Sequence, residues 1–128
     1  MSAPASAPDP APRRALLRFA ANPDPALDYM VTLTASLHDG SGVEIRFVPD
    51  TQVLDAACLP PYLAELPAAG PEARAALVLG DMANELLPRW LRVTLSAAGP
   101  AGVRHVVVME ERQPRWDNAA LLARLAPL

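Results

Sequence analysis

The stretch over residues 71–96 constrains the fold more than any other part of the chain, because a helical pattern there passes directly into a strand pattern. The apolar residues of its first half recur at the three- and four-residue spacing of one buried helix face: Ala75, Leu79, Met82 and Leu86. Pro88 is expected to end this helix, because proline cannot continue the hydrogen-bond ladder. Residues 90–95 then partly alternate apolar and polar side chains, which predicts a strand.

Strand-like segments lie on both sides of this helix. Over residues 28–37 the apolar and polar side chains alternate strictly, which indicates a strand covered on one side. The turn formers at 38–42 lead into a second alternating segment at 43–48, as in a β-hairpin. The strand at 90–96 is likewise followed, after a turn rich in Gly and Pro, by a strand at 103–110. The pattern predicts an α+β domain with two strands, a helical middle and two strands.

The remaining segments are less regular. We expect a short helix within residues 51–66, broken at Pro60 and Pro61, with Tyr62 and Leu63 packing against the sheet. Asp117 is expected to cap a terminal helix that extends to about residue 125. Residues 1–12, composed of Ala, Pro, Ser and Asp after the first Met, predict a disordered tail, and residues 13–128 a single domain.

Composition excludes several classes of function. A formal net charge of −3 without a Lys-rich run argues against a nucleic-acid-binding protein, which needs a basic surface. No apolar run approaches the roughly 20 residues of a membrane span, and no secretory signal is apparent. A single Cys fits a reducing compartment. We therefore expect a cytoplasmic protein that binds neither nucleic acid nor membrane.

Few residues are candidates for chemistry. Cys58 has no base or positive charge beside it in the sequence, which favours a buried structural thiol over a nucleophile. His38 and His105 are too isolated to predict a metal site. Glu72 begins the central helix, where its carboxylate could accept two N–H donors of a planar heterocycle or simply be a solvated first-turn residue. Surface ion pairing is the simplest interpretation of Arg89.

Several short segments, in order, resemble one enzyme family. They are residues 22–25 (NPDP) with Asp28 and Tyr29, residues 47–50 (FVPD), Asp81 leading to residues 88–90 (PRW), and Gly102 with Val103 opening a Val-rich strand. In order and spacing they resemble QueF, the NADPH-dependent 7-cyano-7-deazaguanine reductase of queuosine biosynthesis, over about residues 22–116. The resemblance implies the tunnelling fold, a ββααββ unit with helices on one side of an antiparallel sheet. It also implies rings of subunits with ligand sites at their interfaces.

The departures from QueF limit what carries over. The family's Cys-Pro-rich segment with the nucleophilic Cys is missing between residues 37 and 43. Residues 55–60 align with a motif associated with NADPH, and both of its lysines are replaced. A His-Glu pair that contacts substrate in the family aligns with Pro71 and Glu72, so that only the Glu is kept.

The leading hypothesis is a homo-oligomeric, QueF-like protein that binds a purine-, pterin- or deazapurine-like molecule through Glu72, with help from Arg89. Whether the chain is an enzyme stays open. Any acid, base or nucleophile would have to come from a small set of side chains: His38, Asp39, Asp55, Cys58 and His105. One alternative is a genuine reductase, the case that would require NADPH. The other is a non-catalytic subunit that completes or regulates a ring with a related chain. No metal is expected.

Overall fold

The structure is a computed structural model that describes residues 9–125. The helices are α1 (Ala11–Arg14), α2 (Leu59–Ala64), α3 (Pro71–Glu85) and α4 (Ala119–Leu122). The strands are β1 (Phe19–Ala21), β2 (Val31–Ser36), β3 (Gly42–Val48), β4 (Gln52–Leu54), β5 (Trp90–Ala98) and β6 (Arg104–Arg112). Short 3₁₀ turns lie at Ala56–Cys58 and Pro100–Gly102.

The main sheet is antiparallel, with strand order β2-β3-β5-β6. One row of facing residues crosses all of its strands: Leu33, Ile45, Val93 and Met109. This row belongs to the hydrophobic core or packs against it, and α3 lies against β5 and β6. The alternation seen in the sequence therefore marks the buried face of the sheet, because successive strand residues point to opposite sides. The predicted α+β order is confirmed.

The central helix α3 buries Ala75, Val78 and Met82 completely. Leu86, the residue at its C-terminal cap position, is also fully buried in the core. The sequence pattern placed Leu79 on this face, but Leu79 is only partly buried and packs at its edge. Val78 takes the central position because it lies three residues after Ala75 and four before Met82. The chain leaves the helix through Leu87, which has a φ of 55°, and Pro88 prevents the helix from continuing.

The prediction for residues 51–66 was partly wrong. Pro60 and Pro61 do not break a helix; they occupy the first turn of α2, where a proline lacks only an N–H that would have no helical partner. Tyr62 and Leu63 are buried in the core, as expected. The small antiparallel sheet formed by β1 and β4 was not predicted, because three-residue strands are too short to show a period.

The chain ends also differ in detail from the prediction. Asn118, not Asp117, caps α4: its side-chain oxygen accepts the N–H of Leu121 at 3.0 Å. Asp117 instead lies 3.4 Å from Arg112. Most of the tail predicted over residues 1–12 lies outside the described residues, and its last two residues begin α1.

A buried ionic cluster joins α1, α2 and α3. Asp81 is fully buried on α3, although the apolar pattern of the helix gives no place to a carboxylate. It accepts hydrogen bonds from Arg13 Nε (2.6 Å) and Nη2 (3.0 Å), Arg14 Nε (2.7 Å) and the Tyr62 hydroxyl (2.5 Å). These donors compensate the buried charge, as such a carboxylate requires.

Candidate functional site

Two hairpin turns and the first turn of α3 meet at one end of the main sheet. We call this region the hairpin end and define it as residues 37–42, 70–74 and 96–105. Among the residues proposed from sequence, His38, Asp39, Glu72 and His105 all lie there. Polar candidates from distant parts of the sequence are thus brought to one surface.

Glu72 and His105 form a direct contact at the hairpin end. Glu72 is the second residue of α3, and its carboxylate pairs with Nε2 of His105 on β6. His105 faces α3 because it shares a side of the strand with Val107 and Met109, which pack against the core. Both side chains stay accessible, at 61% exposure for Glu72 and 44% for His105. The result is an open carboxylate–imidazole pair at a helix N-terminus, where the helix dipole favours negative charge.

A second polar group lies on the other side of the first turn of α3. Arg74 Nη1 is 3.0 Å from Asp39 Oδ2, and Nη2 is 3.3 Å from the Ser41 hydroxyl. Asp39 Oδ1 also accepts the backbone N–H of Ser41 at 3.0 Å. Hydrogen bonds from Ser41, together with the positive charge of Arg74, hold the pKa of Asp39 below its ordinary value. Asp39 is therefore an ionised acceptor, not a proton donor, at neutral pH.

A cavity of about 380 Å³ opens beside Asp39 and Arg74, between the β2–β3 turn and the loop that joins α2 to α3. We call it the Arg74 cavity. Its apolar lining consists of Leu37, Leu63, Leu66 and residues 67–69. His38, Asp39 and Arg74 supply its polar end. Two of the weaker sequence candidates thus share one cavity, with an arginine that sequence reasoning did not select.

Arg89 lies elsewhere and is already engaged within the chain. Its guanidinium contacts the carboxylates of Asp28 (3.1 Å) and Asp50 (3.2 Å) and the backbone oxygens of Pro25 (2.6 Å) and Leu27 (3.4 Å). The side chain is only 17% exposed. Arg89 therefore ties the entry to β2 to the end of β3, and it could contact a ligand only by giving up some of these partners.

Cys58 and Asp55 belong to the 3₁₀ turn before α2, outside the hairpin end. Cys58 is 5% exposed, and its sulfur lies 3.9 Å from the backbone oxygen of Arg18. Asp55 accepts the N–H of Ala57 at 3.0 Å and so caps the turn. The packing of Cys58 is that of a buried structural thiol, because a catalytic thiolate must be accessible to its substrate.

Two classes of feature are not found in residues 9–125. No three His, Cys, Asp or Glu side chains among them are grouped so that they could hold a metal ion. The helices in the same range are too short or too polar to span a bilayer.

Sequence reasoning did not predict the buried roles of Arg74 and Asp81, although a signal for both was present. Both lie on the apolar stripe of α3, Arg74 four residues before Val78 and Asp81 three residues after it. A charged residue on the buried face of a helix needs a buried partner. The partners, Asp39 for Arg74 and the α1 arginines for Asp81, come from distant segments that the helix pattern does not name.

Comparison with known proteins supports the resemblance. No protein-family model matches the chain. Proteins named NADPH-dependent 7-cyano-7-deazaguanine reductase, from two strains of Acidithiobacillus ferrooxidans, are each 29% identical to it across 89% of this chain and 89% of their own. The chain is QueF-like. The crystal structure of the archaeosine synthase QueF-Like in the apo form is similar in fold, with a TM-score of 0.56 and 21% identity over 63% of this chain and 91% of that one. The tunnelling fold expected from sequence is confirmed.

The structure also shows the connection between β2 and β3, where the resemblance led us to expect a missing Cys-containing segment. The connection between β2 and β3 consists of residues 37–41 alone. This tight turn is closed by two hydrogen bonds, from the Leu37 N–H to the Ser41 oxygen (2.7 Å) and from the Gly40 N–H to the Leu37 oxygen (3.0 Å), and Gly40 has the positive φ of 88° that such a turn requires. Residues 37–41 contain no Cys.

Proposed function

We propose that this QueF-like chain binds a purine-, pterin- or deazapurine-like heterocycle through Glu72, without Cys-dependent reduction of a nitrile. The observation that carries the proposal is the placement of the Glu72 carboxylate, exposed at the first turn of α3 and held by His105. A carboxylate has two oxygens that can each accept an N–H, and adjacent ring N–H groups match that spacing. The imidazole of His105 contacts one carboxylate oxygen of Glu72 and helps to orient the carboxylate, while the other oxygen makes no contact with His105.

We place this site at a contact between subunits. A binding site usually covers most of the surface of a small ligand, whereas Glu72 is 61% exposed in a single chain. A second copy, or a related subunit, would supply the missing wall and exclude water from the charged contact. Exclusion of water would strengthen the contact, because a hydrogen bond from an N–H group to a carboxylate is electrostatically stronger in a medium of lower dielectric constant.

The thiol chemistry that the resemblance to QueF implies does not fit this chain. Nitrile reduction through a covalent adduct needs an accessible thiolate, whereas Cys58 is buried and its sulfur donates to the backbone oxygen of Arg18. The residues at 55–60 also do not fit NADPH. Asp55 presents a carboxylate where the nucleotide phosphates would need cations, and the nearby Arg18 donates to the backbone oxygens of Ala15 and Leu17. NADPH therefore belongs only to the alternative function.

That alternative is a genuine NADPH-dependent 7-cyano-7-deazaguanine reductase, which the names of the relatives favour. It would have to use Cys58 after a rearrangement that exposes the sulfur. The test is the loss of NADPH absorbance in the presence of 7-cyano-7-deazaguanine. Oxidation that is present in the wild type and abolished in Cys58→Ala would favour the reductase, whereas no oxidation by the wild type would favour the binding function.

Calorimetric titration tests the proposed function directly. The purified protein is titrated with 7-cyano-7-deazaguanine, guanine and a pterin, and the wild type is compared with Glu72→Gln. Loss of a buried charged acceptor should weaken binding by about 2–5 kcal/mol, roughly 30-fold or more. Glu111→Gln, an exposed carboxylate on β6, is the matched control and should leave affinity unchanged. Equal affinities of Glu72→Gln and the wild type would refute the role of Glu72, and no heat with any ligand would favour a non-catalytic ring subunit.

The variant His105→Gln tests whether His105 supports ligand binding by orienting the Glu72 carboxylate. We expect a smaller loss of affinity than for Glu72→Gln, because glutamine can donate one hydrogen bond to the carboxylate but cannot carry a positive charge. His105→Ala should weaken binding further. Identical affinities for both His105 variants and the wild type would show that the contact does not orient the carboxylate.

A further inference from the structure

The Arg74 cavity is chemically different from the Glu72 site. Glu72 does not line it, and its walls are mainly the apolar side chains of the β2–β3 turn, α2 and the following loop. Its volume of about 380 Å³ lies near the lower end of the range for small-molecule sites, which suits a single ring better than an extended nucleotide. Apolar walls with a few polar groups at one end are typical of sites that bind a ring by its faces and read one edge.

The polar end of the cavity carries one positive and one negative charge that compensate each other. Arg74 is 9% exposed and donates to Asp39 through Nη1, and its Nε is itself buried and does not face a ligand. The two Nη atoms each carry two N–H groups, so donors remain on them after the contacts with Asp39 and Ser41. The Asp39 side chain is 45% exposed and keeps lone pairs that the chain does not use. The cavity therefore offers an acceptor and donors side by side.

This arrangement selects against charged ligands. An anion would gain contact with Arg74 but would be repelled by Asp39, and a cation would meet the opposite problem. A neutral amide has a C=O beside an N–H, and its two groups complement the guanidinium and the carboxylate at once. We propose that the Arg74 cavity is a second binding site, which takes a neutral planar ring bearing an amide or lactam edge.

Two ligands of the same shape test the charge selectivity. Benzamide and benzoate share a ring and differ in an amide against a carboxylate. Each is titrated into the isotope-labelled full chain while the backbone amide signals are followed by NMR. We expect benzamide to shift the signals of the cavity, at residues 38–41 and 66–70, with at least tenfold higher affinity than benzoate. Equal affinities, or shifts confined to other regions, would overturn the proposal.

Asp39→Asn should reverse this preference. The variant keeps an oxygen that can accept the Ser41 N–H, but it leaves the charge of Arg74 uncompensated. We expect benzamide to bind several-fold more weakly and benzoate more tightly than to the wild type. Asp55→Asn is the matched control, because Asp55 accepts the N–H of Ala57 at the same 3.0 Å and lies outside the cavity. An Asp39→Asn protein that binds both ligands like Asp55→Asn would contradict the inference.

A variant that fills the cavity gives an independent readout. Ala68 is an exposed loop residue that lines the cavity, so Ala68→Leu should block the ring without disturbing the core. Benzamide shifts that persist in Ala68→Leu would place the ligand elsewhere. Glu72→Gln should leave benzamide binding unchanged, so failure of this site and failure of the heterocycle site are distinguishable.

Discussion

Replacement of Asp81 by Asn tests the most buried charge in the described structure. Asp81 is fully buried and receives its hydrogen bonds from two arginines and a tyrosine at 2.5–3.0 Å. Asparagine has nearly the same volume, so the variant removes the charge with little change in packing. One of its polar atoms is an NH₂ group, which would face guanidinium donors instead of accepting from them.

The expected loss of stability follows from what the variant leaves behind. Arg13 would stay buried at 6% side-chain exposure without its counterion, and Arg14, at 24%, would lose its partner as well. Breaking a buried ion pair by removing one partner costs about 3–5 kcal/mol. For a domain of this size such a loss corresponds to a fall of roughly 10–20 °C in the melting midpoint. It is a large share of the about 5–15 kcal/mol that stabilises a typical domain.

The pH dependence provides a second signature. Burial alone would raise the pKa of Asp81, but hydrogen bonds from Arg13, Tyr62 and Arg14 together hold it below the ordinary value of 3.8. A carboxylate with a depressed folded-state pKa contributes stability above its unfolded pKa, and this contribution is lost as the pH falls through the folded pKa. The stability difference between the wild type and Asp81→Asn should therefore be constant above about pH 5 and shrink below pH 4.

Denaturant unfolding of both proteins across this pH range is the assay. Asp117→Asn is the control, because Asp117 is also an arginine partner but is 71% exposed, and such surface pairs contribute little. Its unfolding midpoint should match that of the wild type. If Asp81→Asn lies within 1 kcal/mol of the wild type at pH 7, or if the difference does not depend on pH, the buried cluster does not stabilise the fold as argued.

The hydroxyl of Tyr62 is buried and donates to the Asp81 carboxylate, and burial, with a smaller effect of this hydrogen bond, raises the pKa of Tyr62 far above 10. An alkaline absorbance titration should therefore not detect the ionisation of Tyr62 while the protein is folded. Ionisation of Tyr62 near pH 10 would contradict its placement. Cys58 should react with a thiol reagent only after denaturant is added, and rapid labelling of the native protein would refute its burial. Arg89→Lys cannot hold two carboxylates and two backbone oxygens at once and should destabilise the fold by about 1–3 kcal/mol in the same unfolding assay. An unchanged midpoint for Arg89→Lys would show that these contacts are not stabilising.

Local patterns in the sequence were sufficient to predict the secondary structure of the main sheet and α3. A strand covered on one side must alternate, and a helix on a core must repeat apolar residues at three- and four-residue spacing, so both are visible without tertiary information. The order of segments 22–25, 47–50 and 88–90 was enough to indicate the QueF-like fold. The tight turn at 37–41 could likewise be predicted from the spacing between two alternating segments.

The contacts that define the candidate sites depended on tertiary structure. Glu72 and His105 were separate candidates in the sequence, and only the packing of α3 on β6 brings them together. Asp39 forms an ion pair with Arg74. Asp81 pairs with two arginines of α1, which precede it in the sequence by 68 and 67 residues. The physical reason is that a local pattern reports which side of an element is buried. Which charge meets which across the core depends on how distant elements pack, and that is decided only in the folded chain.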